Sequence, residues 1–250
     1  MSAWPFPFWV AHRGAGKLAP ENTLAAFRLG ASFGWRAFEC DVKLSADGQP
    51  FLLHDATLDR TTPEQGTAGE RSWSELSRID AGGWHSRAYA GEPLPSLESI
   101  ACYVQRNGFA LNIEIKPTPD HEARTGQVVA EACTRLWAHA GTPLLFSSFK
   151  PEALQAAQAA APHIPRALLL DTLSPGWLEC ARSLAAVAVV TNFRLMDAAL
   201  LAQLHEAGMR GLCYTVNEPT EARRLLALGI DGIITDAVDR FSPHASAVFD

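Results

Sequence analysis

Eight short apolar segments recur along the chain of 250 residues, and stretches with helical periodicity lie between most of them. Each segment has the length and the residue types of a β-strand. In chain order they are Phe8–His12, Ala37–Lys43, Ala110–Lys116, Pro143–Ser147, Arg166–Leu170, Ala186–Thr191, Gly211–Val216 and Gly232–Asp236. Eight strand–helix units in about 250 residues match the size of a (β/α)8 TIM barrel, an α/β fold. An open doubly wound sheet is the alternative, but eight units favour closure into one barrel domain spanning 1–250.

Glycines mark the ends of three predicted helices. Glycine is common directly after a helix because it adopts the left-handed conformation without a steric penalty. The three helices begin near Leu24, Asp197 and Thr220, and the glycines that follow them are Gly34, Gly208 and Gly229.

One connection is much longer than the others. After the second strand, Asp47-Gly48 is a hairpin-turn signal, and a short strand, Pro50–His54, follows it. A long polar stretch, about 56–96, comes next. We interpret 56–96 as a small subdomain inserted in the second βα connection. Because barrel active sites are built from these connections, we expect the insertion to cover the site.

Charged side chains share one face of the second and third predicted strands. Side chains alternate along a strand, so Glu39, Asp41 and Lys43 lie opposite the apolar residues of the second strand. The third strand places Glu114 and Lys116 in the same way. Because the apolar faces should pack against the helices, the charged faces should point into the barrel.

Three inward carboxylates exceed what one lysine can neutralise. Buried charges are costly unless they are paired or bind a metal. Oxygen ligands select Mg²⁺ or Ca²⁺ over zinc. The sequence therefore predicts one divalent cation at Glu39, Asp41 and Glu114. The alternatives are a salt-bridge network around Lys116 or an edge strand whose polar face meets water.

Two histidines end strand-like segments at the predicted mouth of the barrel. Arg13-Gly14 follows His12, and Asp55 follows His54. Two imidazoles near a metal suit general acid–base catalysis, because histidine titrates near neutral pH. Arg13 and Lys116 could hold a phosphate group. Together these residues indicate phosphodiester cleavage, whereas each histidine alone is more often structural.

The composition narrows the choice of partner and compartment. The formal net charge is −6 and the pI is about 5.7, which argues against nucleic acid as a partner. No apolar run approaches the ~20 residues that a membrane span needs, and the first ten residues lack the features of a signal peptide. The five cysteines are widely spaced and form no CxxC pair, so we predict no disulfide framework. We expect a cytoplasmic enzyme with a small-molecule substrate.

These motifs together resemble the glycerophosphodiester phosphodiesterase family over nearly the whole chain. Their joint order and spacing make a chance match improbable. The motifs similar to those of the family are His12-Arg13-Gly14 with Pro20-Glu21-Asn22-Thr23, Glu39-x-Asp41, His54-Asp55, Glu114-x-Lys116, Thr215-Val216-Asn217 and the segment Asp231–Asp236.

The resemblance implies a (β/α)8 barrel with a small inserted subdomain, and hydrolysis of glycerophosphodiesters to sn-glycerol 3-phosphate and an alcohol. In the family's proposed chemistry the glycerol 2-hydroxyl attacks phosphorus, and water then opens a cyclic phosphate. Analogy with related two-histidine barrels favours His12 as base and His54 as acid in the first step, with the roles reversed in the second. The other roles that the resemblance implies are metal binding by Glu39, Asp41 and Glu114 and phosphate binding by Arg13 and Lys116.

Tyr214 departs from the family pattern, which commonly has tryptophan before Thr-Val-Asn. Both residues are amphipathic aromatics, so we expect Tyr214 to form a wall of the substrate pocket with altered shape or an added hydroxyl. Packing within the barrel is the alternative. The change bears on substrate preference more than on activity.

Three other functions compete with this interpretation. A related phospholipase D-like lyase would stop at the cyclic phosphate, but its secreted members usually carry a signal peptide and a disulfide. An aldolase-type enzyme would need Lys116 as a neutral amine, whereas nearby carboxylates favour its charged form. A non-catalytic binding module on the same fold would be expected to have lost a histidine or a metal carboxylate. This sequence keeps both histidines and all three carboxylates.

Overall fold

The computed structural model describes residues 4–243 and places eight parallel strands in a closed ring. The ring closes because the first strand pairs with the last strand on one side and with the second strand on the other. The predicted (β/α)8 barrel is therefore confirmed, whereas the predicted domain limits, 1 and 250, lie outside the described residues. The strands are β1 (Trp9–Ala11), β2 (Ala37–Leu44), β3 (Pro50–Leu52), β4 (Ala110–Ile115), β5 (Leu144–Ser148), β6 (Arg166–Leu170), β7 (Ala188–Asn192), β8 (Arg210–Tyr214) and β9 (Gly232–Thr235), of which β3 lies outside the ring and pairs antiparallel with β2.

Helices follow most barrel strands and pack around the ring. The predicted helix ends are confirmed, because Gly34, Gly208 and Gly229 all have positive φ. The second of these helices begins where Asp197 accepts a hydrogen bond from the Leu200 N–H, at 2.8 Å. The helices are α1 (Leu24–Ser32), α2 (Trp73–Leu76), α3 (Leu97–Arg106), α4 (Glu122–Leu136), α5 (Pro151–Ala160), α6 (Trp177–Ser183), α7 (Ala198–Glu206) and α8 (Pro219–Leu228).

Two apolar layers build the barrel. The outward residues of β2, including Phe38 and Val42, are buried in a core with residues of the surrounding helices. A second cluster includes Ala37 and Ala110, the first residues of β2 and β4, together with Leu145. The charged residues come later on β2 and β4, so they lie toward the carboxyl ends of these strands. The predicted inward and outward faces of both strands are confirmed.

The long second connection has an apolar cluster of its own. It contains Leu58, Leu76 and Leu94 with Phe51 of β3. Two short 3₁₀ turns and α2 lie in it. Apolar burial of this kind stabilises the segment. Among residues 4–243, no helix combines the length and hydropathy that a membrane crossing requires.

Candidate active site

The three predicted metal carboxylates meet at the carboxyl ends of β2 and β4. Glu39 and Asp41 lie on β2, and Asp41 is the direct cross-strand partner of Glu114 on β4. One oxygen from each carboxylate lies within 4.8 Å of the others. Glu39 Oε1 and Asp41 Oδ1 are buried and accept no hydrogen bond from the protein. Three converging carboxylates with unsatisfied oxygens fit a hard divalent cation.

Two cations partly compensate this negative charge. Arg13 Nε lies 3.3 Å from Asp41 Oδ2, and Lys116 Nζ lies 3.4 Å from Asp41 Oδ1. Lys116 Nζ also donates to Glu114 Oε1 at 3.0 Å. Burial alone would raise the pKa of Asp41, but Arg13 and Lys116 outweigh it and lower that pKa well below its usual range.

The pKa values of the two glutamates shift in the opposite direction to that of Asp41. Burial, and then the charge of Asp41, raise the pKa of Glu114 to about 7. Burial and the same neighbour raise the pKa of Glu39 well above its usual range. Burial and mutual repulsion thus oppose the charged forms of both glutamates, and a further positive charge at this point would favour them.

His12 follows β1 directly and is held by Asp236, which follows β9. His12 Nδ1 lies 2.6 Å from Asp236 Oδ1. Asn217 Nδ2 donates to Asp236 Oδ2 at 2.9 Å, and the Asn217 side-chain oxygen accepts from the Asp236 N–H. A carboxylate can only accept here, so Nδ1 carries a proton, and in the neutral imidazole Nε2 is the nitrogen that can accept one. Nε2 faces Glu39 Oε2 at 3.8 Å, which is too long for a hydrogen bond.

His54 has a similar arrangement on the other side of the site. Its Nδ1 lies 2.6 Å from Asp55 Oδ1. Burial lowers the pKa of His54 despite the opposing charge of Asp41, and Arg13 adds to the lowering. The hydrogen bond that Arg60 donates is the main cause that lowers the pKa of Asp55 to about 2. Asp55 thus stays ionised and keeps the Nδ1 proton of His54 in place.

Sequence reasoning assigned no role to Arg60, which joins the insertion to the site. Arg60 Nε donates to Asp55 Oδ2 at 2.6 Å, and its Nη atoms donate to both carboxylate oxygens of Glu21 at 2.8 Å. Glu21 in turn accepts from Arg13 Nη1 at 2.9 Å. The chain of ion pairs therefore links the regions around both histidines. The sequence feature that could have indicated a residue such as Arg60 is the His54-Asp55 motif, because an ionised aspartate beside a histidine needs a cationic partner.

Asn22 and Asp236 also act at the site without a role assigned from sequence, although both lay in quoted motifs. Asn22 Nδ2 donates to Asp41 Oδ2 at 2.8 Å, and the Asn22 side-chain oxygen accepts from the Asp41 N–H at 3.1 Å. Asn22 has φ +60, and asparagine tolerates this left-handed conformation better than most residues. Asn22 thus orients Asp41, one of the three predicted metal carboxylates, as Asp236 orients His12.

Two cavities meet at Glu114 and Phe149. A wide one of about 460 Å³ is lined by residues that include Lys43, His54 and Lys116. A narrow one of about 20 Å³ is lined by residues that include His12, Glu39 and Tyr214.

Burial lowers the pKa of Lys43 to about 8, so its ammonium remains protonated at neutral pH.

Tyr214 lines the narrow cavity and is tethered by its hydroxyl. The Tyr214 hydroxyl oxygen lies 3.1 Å from Asp171 Oδ1 and 3.3 Å from the Leu170 carbonyl oxygen. The Tyr214 ring meets Phe149 edge to face, with centroids 5.6 Å apart. Its role in substrate preference stays a prediction.

The structure brings all eight predicted site residues to one end of the barrel: His12, Arg13, Glu39, Asp41, His54, Glu114, Lys116 and Tyr214. From the stretch 56–96, only Ala56 lines either cavity, and Arg60 supports Asp55 from beside them. That the insertion covers the site stays a prediction.

Comparisons with known proteins agree with the predicted family and fold. Residues 12–240 match the model of the glycerophosphoryl diester phosphodiesterase family. The chain is 31% identical to a glycerophosphodiester phosphodiesterase of Caldanaerobacter subterraneus subsp. tengcongensis, over 91% of this chain and 93% of that protein. It is 30% identical to one of Bacillus altitudinis, over 92% and 94%. Its fold is similar to that of an Oleispira antarctica phosphodiesterase in complex with the product sn-glycerol-3-phosphate, with TM-score 0.86, 32% identity and coverage of 93% and 94%.

Proposed function

Because the chain belongs to the glycerophosphoryl diester phosphodiesterase family and is a phosphodiester-hydrolysing enzyme, we propose that it cleaves glycerophosphodiesters to sn-glycerol 3-phosphate and an alcohol. The product bound to the Oleispira antarctica phosphodiesterase supports this substrate class.

All five cysteines are free thiols, which is in keeping with a cytoplasmic location.

Glu39, Asp41 and Glu114 would hold one divalent cation, Mg²⁺ or Ca²⁺. The support is the convergence of three buried carboxylates and the unsatisfied oxygens of Glu39 and Asp41. When bound, the cation would act as a Lewis acid that stabilises negative charge developing on the phosphoryl group.

His12 and His54 would carry the protons. His12 Nε2 would accept the proton of the glycerol 2-hydroxyl, whose oxygen then bonds to phosphorus. His54 would donate the Nε2 proton of its imidazolium to the departing alkoxide, so that the alcohol leaves and a five-membered cyclic phosphate remains. In the second step His54 would take a proton from water, the hydroxide oxygen would bond to phosphorus, and His12 would return its proton to the 2-oxygen.

Arg13 and Lys116 would hold the phosphoryl oxygens. Lys116 lines the wide cavity beside His54, and Arg13 lies between Glu21 and Asp41. Both cations are already fixed by carboxylates, so they need little reorganisation to stabilise added negative charge.

The observation that carries the proposal is the paired histidines, each with Nδ1 held by an aspartate, beside the carboxylate cluster. The test measures release of sn-glycerol 3-phosphate by metal-stripped protein, with Mg²⁺, Ca²⁺ or Mn²⁺ added back. We expect release that depends on the metal and is lost in Glu39→Gln. Glu98→Gln, at an exposed position on α3, is the matched control and should behave as wild type. Accumulation of a cyclic phosphate without further hydrolysis would instead identify a lyase.

A further inference from the structure

Lys43 is a buried cation, and the described residues use only part of its hydrogen-bonding capacity. It points inward from β2, and only 1% of the residue is exposed. Its Nζ donates one hydrogen bond, 3.0 Å long, to the backbone oxygen of Lys116. An ammonium has three N–H donors, so two remain. Among residues 4–243, no carboxylate forms an ion pair with Lys43 at salt-bridge distance.

The wide cavity that Lys43 lines carries an unusual concentration of lysine. The chain has four lysines, and the cavity is lined by three of them: Lys43, Lys116 and Lys150. The acidic residues of the cavity wall are already engaged. Asp55 is paired with Arg60, and Glu114 is paired with Lys116. A buried charge without a partner is costly, and an anion entering this cavity would supply the partner.

We propose that Lys43 recognises an anionic group on the alcohol half of the substrate, so that the enzyme prefers glycerophosphodiesters whose alcohol carries a group such as a carboxylate. This inference rests on the proposed function. There, His54 protonates the departing alkoxide, and His54 lines the same wide cavity as Lys43. The alcohol therefore leaves through this cavity, past the Lys43 ammonium, while His12 acts from the narrow cavity.

The experiment compares two substrates that differ by one carboxylate, glycerophosphoserine and glycerophosphoethanolamine. A charge-assisted hydrogen bond strengthens binding by roughly 10- to 100-fold. We expect wild-type kcat/KM to favour glycerophosphoserine by about 10-fold or more, and Lys43→Met to bring the ratio close to one. Methionine keeps the length of the buried stem and removes the ammonium, together with its hydrogen bond to the Lys116 backbone oxygen. A wild-type ratio near one would overturn the proposal without recourse to any variant.

Further variants separate charge recognition from other roles of Lys43. Lys17→Met removes an exposed lysine outside the cavity and should leave the ratio at its wild-type value. If Lys43→Met does not fold, Lys43→Gln supplies the same comparison with a neutral side chain. Equal losses on both substrates would overturn the proposal, because they would indicate a phosphate contact or a structural role. If wild-type enzyme hydrolysed no glycerophosphodiester at all, the proposed function would fail, and this inference with it.

Discussion

Replacing Asp236 by asparagine tests whether His12 must present an unprotonated Nε2 to the site. The Asp236 carboxylate accepts from His12 Nδ1 through one oxygen and from Asn217 Nδ2 through the other, at 2.6 and 2.9 Å. The introduced amide has only one accepting atom. Because Asn217 donates, the amide oxygen should turn toward Asn217 and its NH₂ toward His12. His12 Nδ1 must then accept, and its proton moves to Nε2.

The magnitude follows from the loss of one positioned base. A general base contributes typically about 10²–10⁴-fold, and the altered tautomer can no longer take a proton at Nε2. We expect kcat to fall by about 10²–10³-fold, equivalent to roughly 3–4 kcal/mol in the activation free energy. KM should change little, because the substitution leaves the carboxylate cluster, Arg13 and Lys116 intact.

The assay is steady-state release of sn-glycerol 3-phosphate at saturating metal. Asp231→Asn is a matched control, since Asp231 Oδ2 lies 2.7 Å from His205 Nε2 at the opposite end of β9. The control should lower stability and leave kcat unchanged. NMR of ¹⁵N-labelled histidine in Asp236→Asn should report a proton on His12 Nε2. A folded Asp236→Asn with kcat within threefold of wild type would refute the reasoning.

Four further predictions follow from the contacts. His54→Ala should lower kcat by at least about 100-fold in steady-state assays while the circular dichroism spectrum is retained, because it removes the proposed acid; activity near wild type would exclude His54 from the mechanism. Arg60→Met should lower kcat by about 10-fold, because Asp55 and Glu21 lose their shared cation; Arg78→Met, on the same insertion, is the control for a lost arginine, and equal effects would point to stability. Glu39→Gln should weaken Mg²⁺ or Mn²⁺ binding by at least 10-fold in calorimetry, and unchanged affinity would place the metal elsewhere. The hydrogen bonds to Asp231 lower its pKa against burial, so its stabilisation is present above the unfolded pKa of about 3.9 and is lost as pH falls through the lower folded value. Asp231→Asn should therefore cost about 2 kcal/mol in the free energy of unfolding at pH 7 and less at pH 3, and a cost that grows on acidification would contradict this.

Much of the site could be predicted from local patterns. The period-two alternation of β2 and β4 identified Glu39, Asp41 and Glu114 as inward residues, because a strand that packs its apolar face on helices has no other orientation available. The positions of His12 and His54 after strands predicted that both would lie at the mouth. His12, Lys116 and Asp236, which the sequence placed at strand ends, follow β1, β4 and β9 directly.

The partners of these residues were harder to predict. Arg60 lies in the irregular part of the insertion, where no periodicity indicates the direction of a side chain. Asp55 and Glu21 are separated by more than thirty positions, and a single guanidinium bridges them. Likewise, no local pattern distinguishes Lys43 from Lys116. Within residues 4–243 Lys43 has no carboxylate at salt-bridge distance, whereas Lys116 has two.

The sequence by itself determined the strand and helix rhythm, the faces of the strands and the residue types that gather at the mouth. These depend on local periodicity, on turn residues and on the burial of apolar faces. Only the tertiary structure decided which ring nitrogen of each histidine is held and which cavity each residue lines. His12 and Asp236 are 224 positions apart, and they meet only because β9 pairs with β1 when the barrel closes. Ring closure is a property of the whole chain, so the side-chain pairs that form across it cannot be read from any one segment.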